Sequence, residues 1–258
     1  MNTSALGLRV LVTAGAAGIG RAIAQTFVEH GARVHICDID TNALAEMKRL
    51  APQVSQTVAD VANLADVDRL FTDVVRQLGG LDVLVNNAGI AGPTAKVEDI
   101  RPEEWDRCLA IDLNGMFYVT RKAMPLIKAA GGGSIVNLSS AAGRLGFPRR
   151  TPYAAAKWGV VGFTKSLAIE AGPDKVRVNC IQPGMVAGDR INRVIEARAQ
   201  AKGISFEEER EESLAAISLR TFVTAQDIAN MALFVSTDAG KNITGQALSV
   251  CGDHRYLS

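Results

Sequence analysis

Short apolar runs alternate with amphipathic stretches along the whole chain. Each run is strand-like and ends in small or polar residues, and most are followed by a segment with apolar positions at helical spacing. The predicted strands cover residues 8–13, 33–37, 54–59, 81–85, 135–138, 176–181 and 246–250. The main predicted helices cover residues 21–30, 66–78, 103–128 and 225–236, with another that opens near Pro152. This alternation predicts one α/β domain over residues 1–258, a Rossmann-like doubly wound parallel sheet with helices on both faces.

The ends of the predicted strands carry the residues most suited to a ligand. In doubly wound sheets, ligands bind at the carboxyl ends of the strands. Six small or polar residues fall at such ends: Gly15, Asp38, Asp60, Asn87, Ser140 and Pro183. Their shared location predicts a binding site along this edge of the sheet.

A glycine-rich turn joins the first predicted strand to the first helix. Gly15, Gly18 and Gly20 have the spacing G-x-x-G-x-G rather than G-x-G-x-x-G. Glycines allow backbone N–H groups to approach a pyrophosphate, and the helix N-terminus faces its charge. The alternative interpretation of the turn is a tight strand-to-helix connection without a ligand.

Asp38 stands at the end of the second predicted strand, eighteen residues after Gly20. A carboxylate at this place accepts hydrogen bonds from an adenosine ribose and repels a 2′-phosphate, which favours NAD over NADP. The alternative is that Asp38 caps the next helix, since Asp40 and Thr41 also precede it.

The stretch 134–162 contains the strongest candidate for catalysis. Tyr153 and Lys157 are four residues apart and therefore share one face of a helix. The ammonium group favours the phenolate form, so that this Tyr can pass a proton near neutrality. Ser140 ends the preceding strand, where its hydroxyl can hold a carbonyl or alcohol oxygen. Taken alone, Tyr-x-x-x-Lys is also common on helix surfaces.

The composition narrows the class of protein. Lys and Arg total 28 against 27 Asp and Glu, so the net charge of +1 gives no reason to expect nucleic acid or a membrane surface. The four Cys are far apart, which suggests neither disulfides nor a metal site, and they indicate a reducing compartment. We see no signal peptide and no membrane-spanning run. We therefore expect a cytoplasmic protein with a small-molecule substrate.

Together these motifs resemble the short-chain dehydrogenase/reductase family over essentially the whole chain. The matching pieces, in order, are residues 13–20, Asp60-Val61, residues 86–89, Asn114, Ser140, Tyr153-x-x-x-Lys157 and Pro183-Gly184.

The resemblance implies a catalytic tetrad of Asn114, Ser140, Tyr153 and Lys157. Tyr153 would be the acid or base, Lys157 would bind the nicotinamide ribose, Ser140 would orient the substrate oxygen, and Asn114 would hold a water linking Lys157 to solvent. The cofactor would be NAD. Its predicted contacts are Gly15, Ala17, Gly18, Ile19, Gly20, Asp38, Ile39, Asp60, Val61, Asn87, Ala88, Gly89, Tyr153, Lys157, Pro183, Gly184 and Val186.

Two positions depart from the family pattern. Ala14 stands where the family usually has Gly, and we expect Gly15 to supply the conformational freedom instead. Gly188 stands where the family usually has a Thr that meets the cofactor carboxamide. Asp189 or a backbone group are the alternatives for that contact.

The leading interpretation is an NAD-dependent oxidoreductase that interconverts a secondary alcohol and its ketone. A 3-oxoacyl-thioester reductase shares the tetrad, but such members commonly prefer NADPH, so Asp38 counts against it. A non-catalytic cofactor sensor or scaffold on the same fold would need no tetrad. Family analogy also suggests a homodimer or homotetramer.

The substrate is expected to be small and polar, a hydroxy acid or a polyol or sugar. Arg150 lies three residues before Tyr153, where family members that oxidise 3-hydroxybutyrate bind the substrate carboxylate with a basic residue. Ala91 counts against that analogy, because those enzymes carry a polar substrate contact there. The alternatives for Arg150 are a solvated loop residue or a partner of the acidic run 207–212. Residues 188–222 are expected to form a lid over the site. The predicted substrate-binding residues are Ser140, Arg150 and Tyr153.

Overall fold

The computed structural model describes residues 3–257, apart from the side chains of residues 190 and 201. Seven parallel strands form one sheet in the order β3-β2-β1-β4-β5-β6-β7. The strands are β1 Arg9–Thr13, β2 Arg33–Asp38, β3 Ser55–Val58, β4 Val83–Asn86, β5 Gly133–Leu138, β6 Val176–Pro183 and β7 Ala247–Val250. Each corresponds to a predicted apolar run, so the predicted doubly wound parallel sheet is confirmed.

Helices cover both faces of the sheet. They are α1 Gly18–Glu29, α2 Thr41–Leu50, α3 Leu64–Leu78, α4 Pro102–Leu109, α5 Gly115–Ala129, α6 Thr151–Ala171, α7 Asp189–Lys202, α8 Phe206–Ala215 and α9 Ala225–Ser236. One apolar cluster joins α1, α2 and α9 to the sheet, and a second joins α3, α5 and α6 to its other face. Across residues 3–257, no helix has the length and apolar character that crossing a bilayer requires.

The helix predicted over residues 103–128 is interrupted. Between α4 and α5, residues Ala110–Asn114 form a π-helical turn with helical backbone angles on both sides. A π turn is wider than an α turn, so it shifts which side chains face inward, and such turns are frequent at functional sites. Asp112 is buried within this turn, whereas Asn114 is exposed.

The strand order reverses beside β1, since β2 and β3 lie on one side and β4 to β7 on the other. This is the switch point at which doubly wound sheets bind their ligands. Strands β1 and β4 are hydrogen-bonded neighbours, with Val12 paired to Val85. The turn after β1 and residues 87–89 after β4 are therefore next to each other at the carboxyl edge.

Buried His35 in β2 should make the stability of the protein depend on pH. Its ring contacts the hydroxyl oxygens of Ser55 and Thr57 at 2.8 and 3.0 Å, and Thr57 donates to Asp73. Burial lowers the pKa of His35 from 6.5 to about 4. The unfolded chain therefore takes up this proton between pH 6.5 and 4 while the folded chain does not. The contribution of neutral His35 to the free energy of unfolding is fully present above pH 6.5 and falls by about 3 kcal/mol as the pH drops to 4.

Urea unfolding of the wild type and of His35→Leu at several pH values measures this contribution. The wild type should lose more free energy of unfolding than His35→Leu between pH 7 and 4, because carboxylates titrate in both. Parallel curves for the two proteins would contradict the prediction.

Candidate active site

The turn between β1 and α1 is shaped for a close approach to backbone. Gly18 has φ +53°, a left-handed conformation that favours glycine. A Cβ on Gly20 would lie 2.1 Å from the Ala14 carbonyl oxygen and 2.6 Å from Asn87 Nδ2. Ala17 occupies the N-cap and offers no side-chain cap, so the first N–H groups of α1 stay available to an anion. Ile19 follows in the first turn. This arrangement fits a pyrophosphate.

The conformational freedom expected of Gly15 is instead required of Ala14. Ala14 itself is left-handed at φ +48°, and Gly15 is not among the residues with positive φ. A left-handed conformation costs an L-residue roughly 1–2 kcal/mol. Gly15 is needed for space, since a Cβ there would lie 2.6 Å from Ile36 Cγ2. The expectation that Gly15 compensates for Ala14 is therefore wrong.

Asp38 faces the glycine turn rather than capping a helix. Its carboxylate accepts from the backbone N–H of Ala16 at 3.2 Å and of Asp40 at 3.1 Å. The cap of α2 is Asp40, whose side chain accepts from the first N–H groups of that helix. Half-buried Asp38 thus lies at the end of β2 beside the turn, and Ile39 after it is 65% exposed.

Asn87 braces the glycine turn from β4. Its side-chain Nδ2 donates to the carbonyl oxygens of Thr13 and Ala14, both at 3.0 Å. The Thr13 hydroxyl oxygen accepts from the backbone N–H groups of Asn87 and Ala88, also at 3.0 Å. The segment that was predicted to contact the cofactor therefore also fixes the shape of the turn. Gly89 continues toward Lys157, whose Nζ lies 3.1 Å from an ideal Cβ placed on it.

Asp60 and Val61 form the rim after β3. The Asp60 carboxylate accepts from the Ala62 N–H at 2.9 Å, and its own N–H donates to Asp66. Val61 is 6% exposed and packs so closely on Gly115 that a Cβ there would lie 2.7 Å from Val61 Cγ2. This pair therefore sits at the start of α5, on the same edge as the glycine turn.

The structure brings Tyr153 and Lys157 together on α6. Lys157 Nζ lies 5.5 Å from the centroid of the Tyr153 ring. The Lys157 side chain is buried, and its ammonium group donates to the Leu138 carbonyl oxygen at 3.2 Å. Leu138 ends β5 two residues before Ser140, which opens a short 3-10 turn and accepts from the Ala142 N–H. The helix and the strand end that carry these three side chains are thus joined through Lys157.

The structure does not bring Asn114 to this group. Asn114 is exposed, and the side chain beside the Lys157 ammonium is the carboxylate of Asp112, with Oδ2 3.3 Å from Nζ. The other oxygen, Oδ1, accepts from the Ile90 N–H at 2.7 Å. The sequence reasoning missed Asp112. Its signal was an acidic residue inside an otherwise apolar part of a long predicted helix.

Arg150 lies at the mouth of the same group. Its guanidinium carbon is 5.5 Å from the centroid of the Tyr153 ring and 5.1 Å from that of Phe147. Its Nη2 donates to the Ala91 carbonyl oxygen at 2.5 Å. The acidic run 207–212 forms ion pairs with lysine and arginine residues of its own segment. A cationic group is therefore placed beside the phenol ring.

The segment after β6 begins at the carboxyl edge of the sheet, as predicted, and contains Gly188, the position that departs from the family pattern. Pro183 ends the strand, and a Cβ on Gly184 would lie 2.8 Å from Cys251. Gly188 has φ +138°, so a Thr could not adopt this backbone without strain. Asp189, one alternative for the missing contact, is exposed at the start of α7. The backbone conformation at position 188 therefore favours glycine over the usual Thr.

The two ends of the predicted lid, residues 188–222, lie next to each other just outside the sheet. Val186 and Val223 form a parallel bridge, with hydrogen bonds from the Ala187 N–H to the Val223 carbonyl and from the Val223 N–H to the Met185 carbonyl. Between these points, α7 and α8 are joined by Lys202, which pairs with Glu209 and Glu212 at 2.5 and 2.7 Å. Residues 188–222 thus contain a pair of helices, and the residues that flank this segment, 185–187 and 223, are hydrogen-bonded to each other and form its closed root.

Comparison with known proteins identifies relatives over nearly the full length. A family model described as Enoyl-(Acyl carrier protein) reductase matches residues 14–252. The D-beta-hydroxybutyrate dehydrogenase of Cupriavidus necator (strain ATCC 17699 / DSM 428 / KCTC 22496 / NCIMB 10442 / H16 / Stanier 337) is 35% identical over 252 residues, 95% of this chain and 97% of that protein. A 3-oxoacyl-(acyl-carrier-protein) reductase of Chlamydia muridarum (strain MoPn / Nigg) is 36% identical over 261 residues, 98% of this chain and 99% of that protein.

Solved structures show the same architecture. The crystal structure of an NAD⁺-bound xylitol dehydrogenase superposes with a TM-score of 0.90 at 26% identity, covering 96% of this chain and 98% of that one. The similarity therefore extends over the sheet and the helices on both of its faces.

Proposed function

Because the chain belongs to the short-chain dehydrogenase/reductase family and is an oxidoreductase, we propose that it interconverts a secondary alcohol and its ketone with NAD. The observation that carries this proposal is the convergence of Tyr153, Lys157 and Ser140 with the glycine turn at one edge of the sheet. When bound, NAD supplies the hydride acceptor or donor. The substrate is a small polar alcohol, a hydroxy acid or a polyol or sugar.

Each catalytic side chain has a separate task. Tyr153 takes the alcohol proton in oxidation and returns it in reduction. Lys157 carries the positive charge that favours the phenolate, and its buried ammonium is oriented by the Leu138 carbonyl. Ser140 presents its hydroxyl to the substrate oxygen from the end of β5. Asn114, which was predicted to complete this group, has no supporting contact at Lys157, and Asp112 occupies that position.

The cofactor would be held by the rim of the carboxyl edge. The glycine turn and the first turn of α1 hold the pyrophosphate, and Asp38 holds the adenosine ribose. The remaining contacts are those predicted at or after the ends of β2, β3, β4 and β6: Ile39, Asp60, Val61, Asn87, Ala88, Gly89, Pro183, Gly184 and Val186. All of these lie at strand ends or in the segments that follow them, and the side chain of Ile39 is largely exposed.

Asp38 should select NAD. A 2′-phosphate would stand against its carboxylate, and close like charges in a partly buried site cost several kcal/mol. Arg21, the nearest cation on α1, is engaged in a bidentate contact with Glu46 and donates to the Ala16 carbonyl. We expect kcat/KM to be at least about 100-fold higher with NAD than with NADP, and Asp38→Ala to narrow that ratio.

The matched control is Asp40→Ala, which removes a neighbouring carboxylate that caps α2 and should leave the ratio unchanged. Equal kcat/KM for the two cofactors in the wild type would refute this role of Asp38. It would also favour the competing function, reduction of a 3-oxoacyl thioester, which one relative performs. A scaffold or cofactor sensor would bind NAD without turnover of any alcohol.

Arg150 should bind an anionic group of the substrate. Its guanidinium lies over the phenol ring, and guanidinium pairs well with carboxylate. Arg150→Ala should lower kcat/KM for a hydroxy acid by roughly 1.5–3 kcal/mol of transition-state stabilisation, and much less for its neutral amide. The control is Arg149→Ala, which removes the neighbouring exposed cation. Equal losses on the acid and the amide would contradict the proposal.

The enzyme is further proposed to be a cytoplasmic homodimer or homotetramer. The four cysteines are buried and free, in keeping with a reducing compartment. Apolar side chains remain exposed on α5 and α6, including Phe117, Trp158 and Ile169 at 47%, 51% and 81%. A second copy of the chain covers this surface, and a monomer in sedimentation experiments would contradict it. Residues 188–222 serve as the substrate lid.

A further inference from the structure

Asp112 is a buried acid that the catalytic roles above do not use. It is 2% exposed and lies in the π turn between α4 and α5. One oxygen accepts from the Ile90 N–H. The other lies 3.3 Å from Lys157 Nζ but has no aligned hydrogen bond within residues 3–257. The carboxylate is therefore held by the backbone on one side and turned toward the ammonium on the other.

The titratable groups near Asp112 come from α6, from the residue that precedes it, and from α4. Lys157 reaches it from α6, and Arg150 precedes that helix. Cys108 on α4 is close enough to sense all three: burial, then Asp112, raise the pKa of its thiol to about 11, while Lys157 and Arg150 oppose the shift. Cys108 therefore stays neutral below about pH 10. The charge balance near Tyr153 is thus set by Asp112 against two cations.

We propose that Asp112 is a positioning residue that neutralises Lys157 and thereby sets the pH at which Tyr153 exchanges its proton. This inference rests on the proposed function. An unbalanced ammonium beside a phenol favours the phenolate, and a carboxylate at 3.3 Å from that ammonium weakens the effect. The phenolate needed to accept the alcohol proton then forms at a higher pH than it would if the side chain at position 112, beside the Lys157 ammonium, were uncharged.

The substitution Asp112→Asn removes the charge and keeps the shape. Its amide oxygen can still accept from the Ile90 N–H, so the segment after β4 keeps its anchor. The rising limb of kcat/KM for alcohol oxidation should move about one pH unit lower, as expected for loss of one nearby charge in a partly screened site. Asp106→Asn on the exposed face of α4 makes the same change in net charge and should not move the limb.

A second readout does not need turnover. The ultraviolet absorbance of tyrosinate is titrated in the wild type and in Asp112→Asn, each minus its Tyr153→Phe counterpart, which removes the signals of the other two tyrosines. The phenol of Tyr153 should ionise at lower pH in Asp112→Asn. Where Asp112→Asn does not fold, Asp112→Ser removes the same charge and should give the same direction.

The outcomes separate the two ideas. If Tyr153 ionises at lower pH in Asp112→Asn than in the wild type, the proposed charge balance is supported. This holds even if no alcohol is turned over, and in that case only the proposed function fails. If the Asp112 variant turns over alcohol but its Tyr153 phenol ionises at the same pH as in the wild type, or at a higher pH, this inference is overturned and the proposed function stays intact. A merely structural role of Asp112 would change KM or stability without moving either pH curve.

Discussion

Replacing Tyr153 by Phe should lower kcat for alcohol oxidation by at least ~10²-fold, and by up to ~10⁴-fold. The substitution removes the hydroxyl that is proposed to take the proton, and it leaves the ring that contacts Arg150 and Lys157. Folding and NAD binding should therefore stay close to those of the wild type. Steady-state kinetics, with a fluorescence titration of NAD, measure the two effects separately.

Tyr118→Phe is the matched control. Tyr118 lies on α5, where it packs on the apolar cluster that joins α3, α5 and α6 to the sheet, and it is not among the proposed catalytic residues. This variant loses the same atom and should keep near-normal kcat. If Tyr153→Phe also kept it, another group would have to move the proton, and the assignment of Tyr153 would fail.

The second large effect is expected from Lys157→Met. This variant should lose turnover and bind NAD more weakly, because Lys157 is proposed both to favour the phenolate and to hold the nicotinamide ribose. It should also leave the Asp112 carboxylate buried without its cation. Breaking a buried ion pair from one side costs about 3–5 kcal/mol, and the side chains of this pair are 6% and 0% exposed.

The double variant Lys157→Met with Asp112→Asn separates stability from function. Removing both charges should recover most of the free energy of unfolding that the single variant loses, while turnover stays absent. Urea unfolding of the two single variants, the double variant and the wild type gives the coupling energy of the pair. A Lys157→Met protein as stable as the wild type would show that Asp112 and Lys157 do not depend on each other.

Most of the fold could be predicted because its pattern is local. The seven apolar runs and the helices between them follow from periodicity, and parallel strands place Gly15, Asp38 and Asn87 at one edge once the alternation is known. Tyr153 and Lys157 were predictable together because a regular helix puts positions four apart on one face.

The position of Asp112 beside Lys157, where Asn114 was expected, could not be predicted in this way. Spacing arguments assume regular helices, and the π turn at Ala110–Asn114 changes which residue faces Lys157. The left-handed Ala14 was hidden for a related reason, since an alanine gives no sign that its backbone adopts a conformation usually left to glycine. Both departures lie at the site, where local rules are most often broken.

The closed root of residues 188–222 has an evolutionary consequence. Because Met185–Ala187 and Val223 are hydrogen-bonded to each other, the 188–222 segment begins and ends at neighbouring points, as an inserted module does. Lengthening or replacing such a segment costs little loop-closure entropy and leaves the register of β6 and β7 unchanged. A chain that exchanged this one segment would change the surface beside the proposed site, while the sheet and the residues proposed to move the proton would stay as they are.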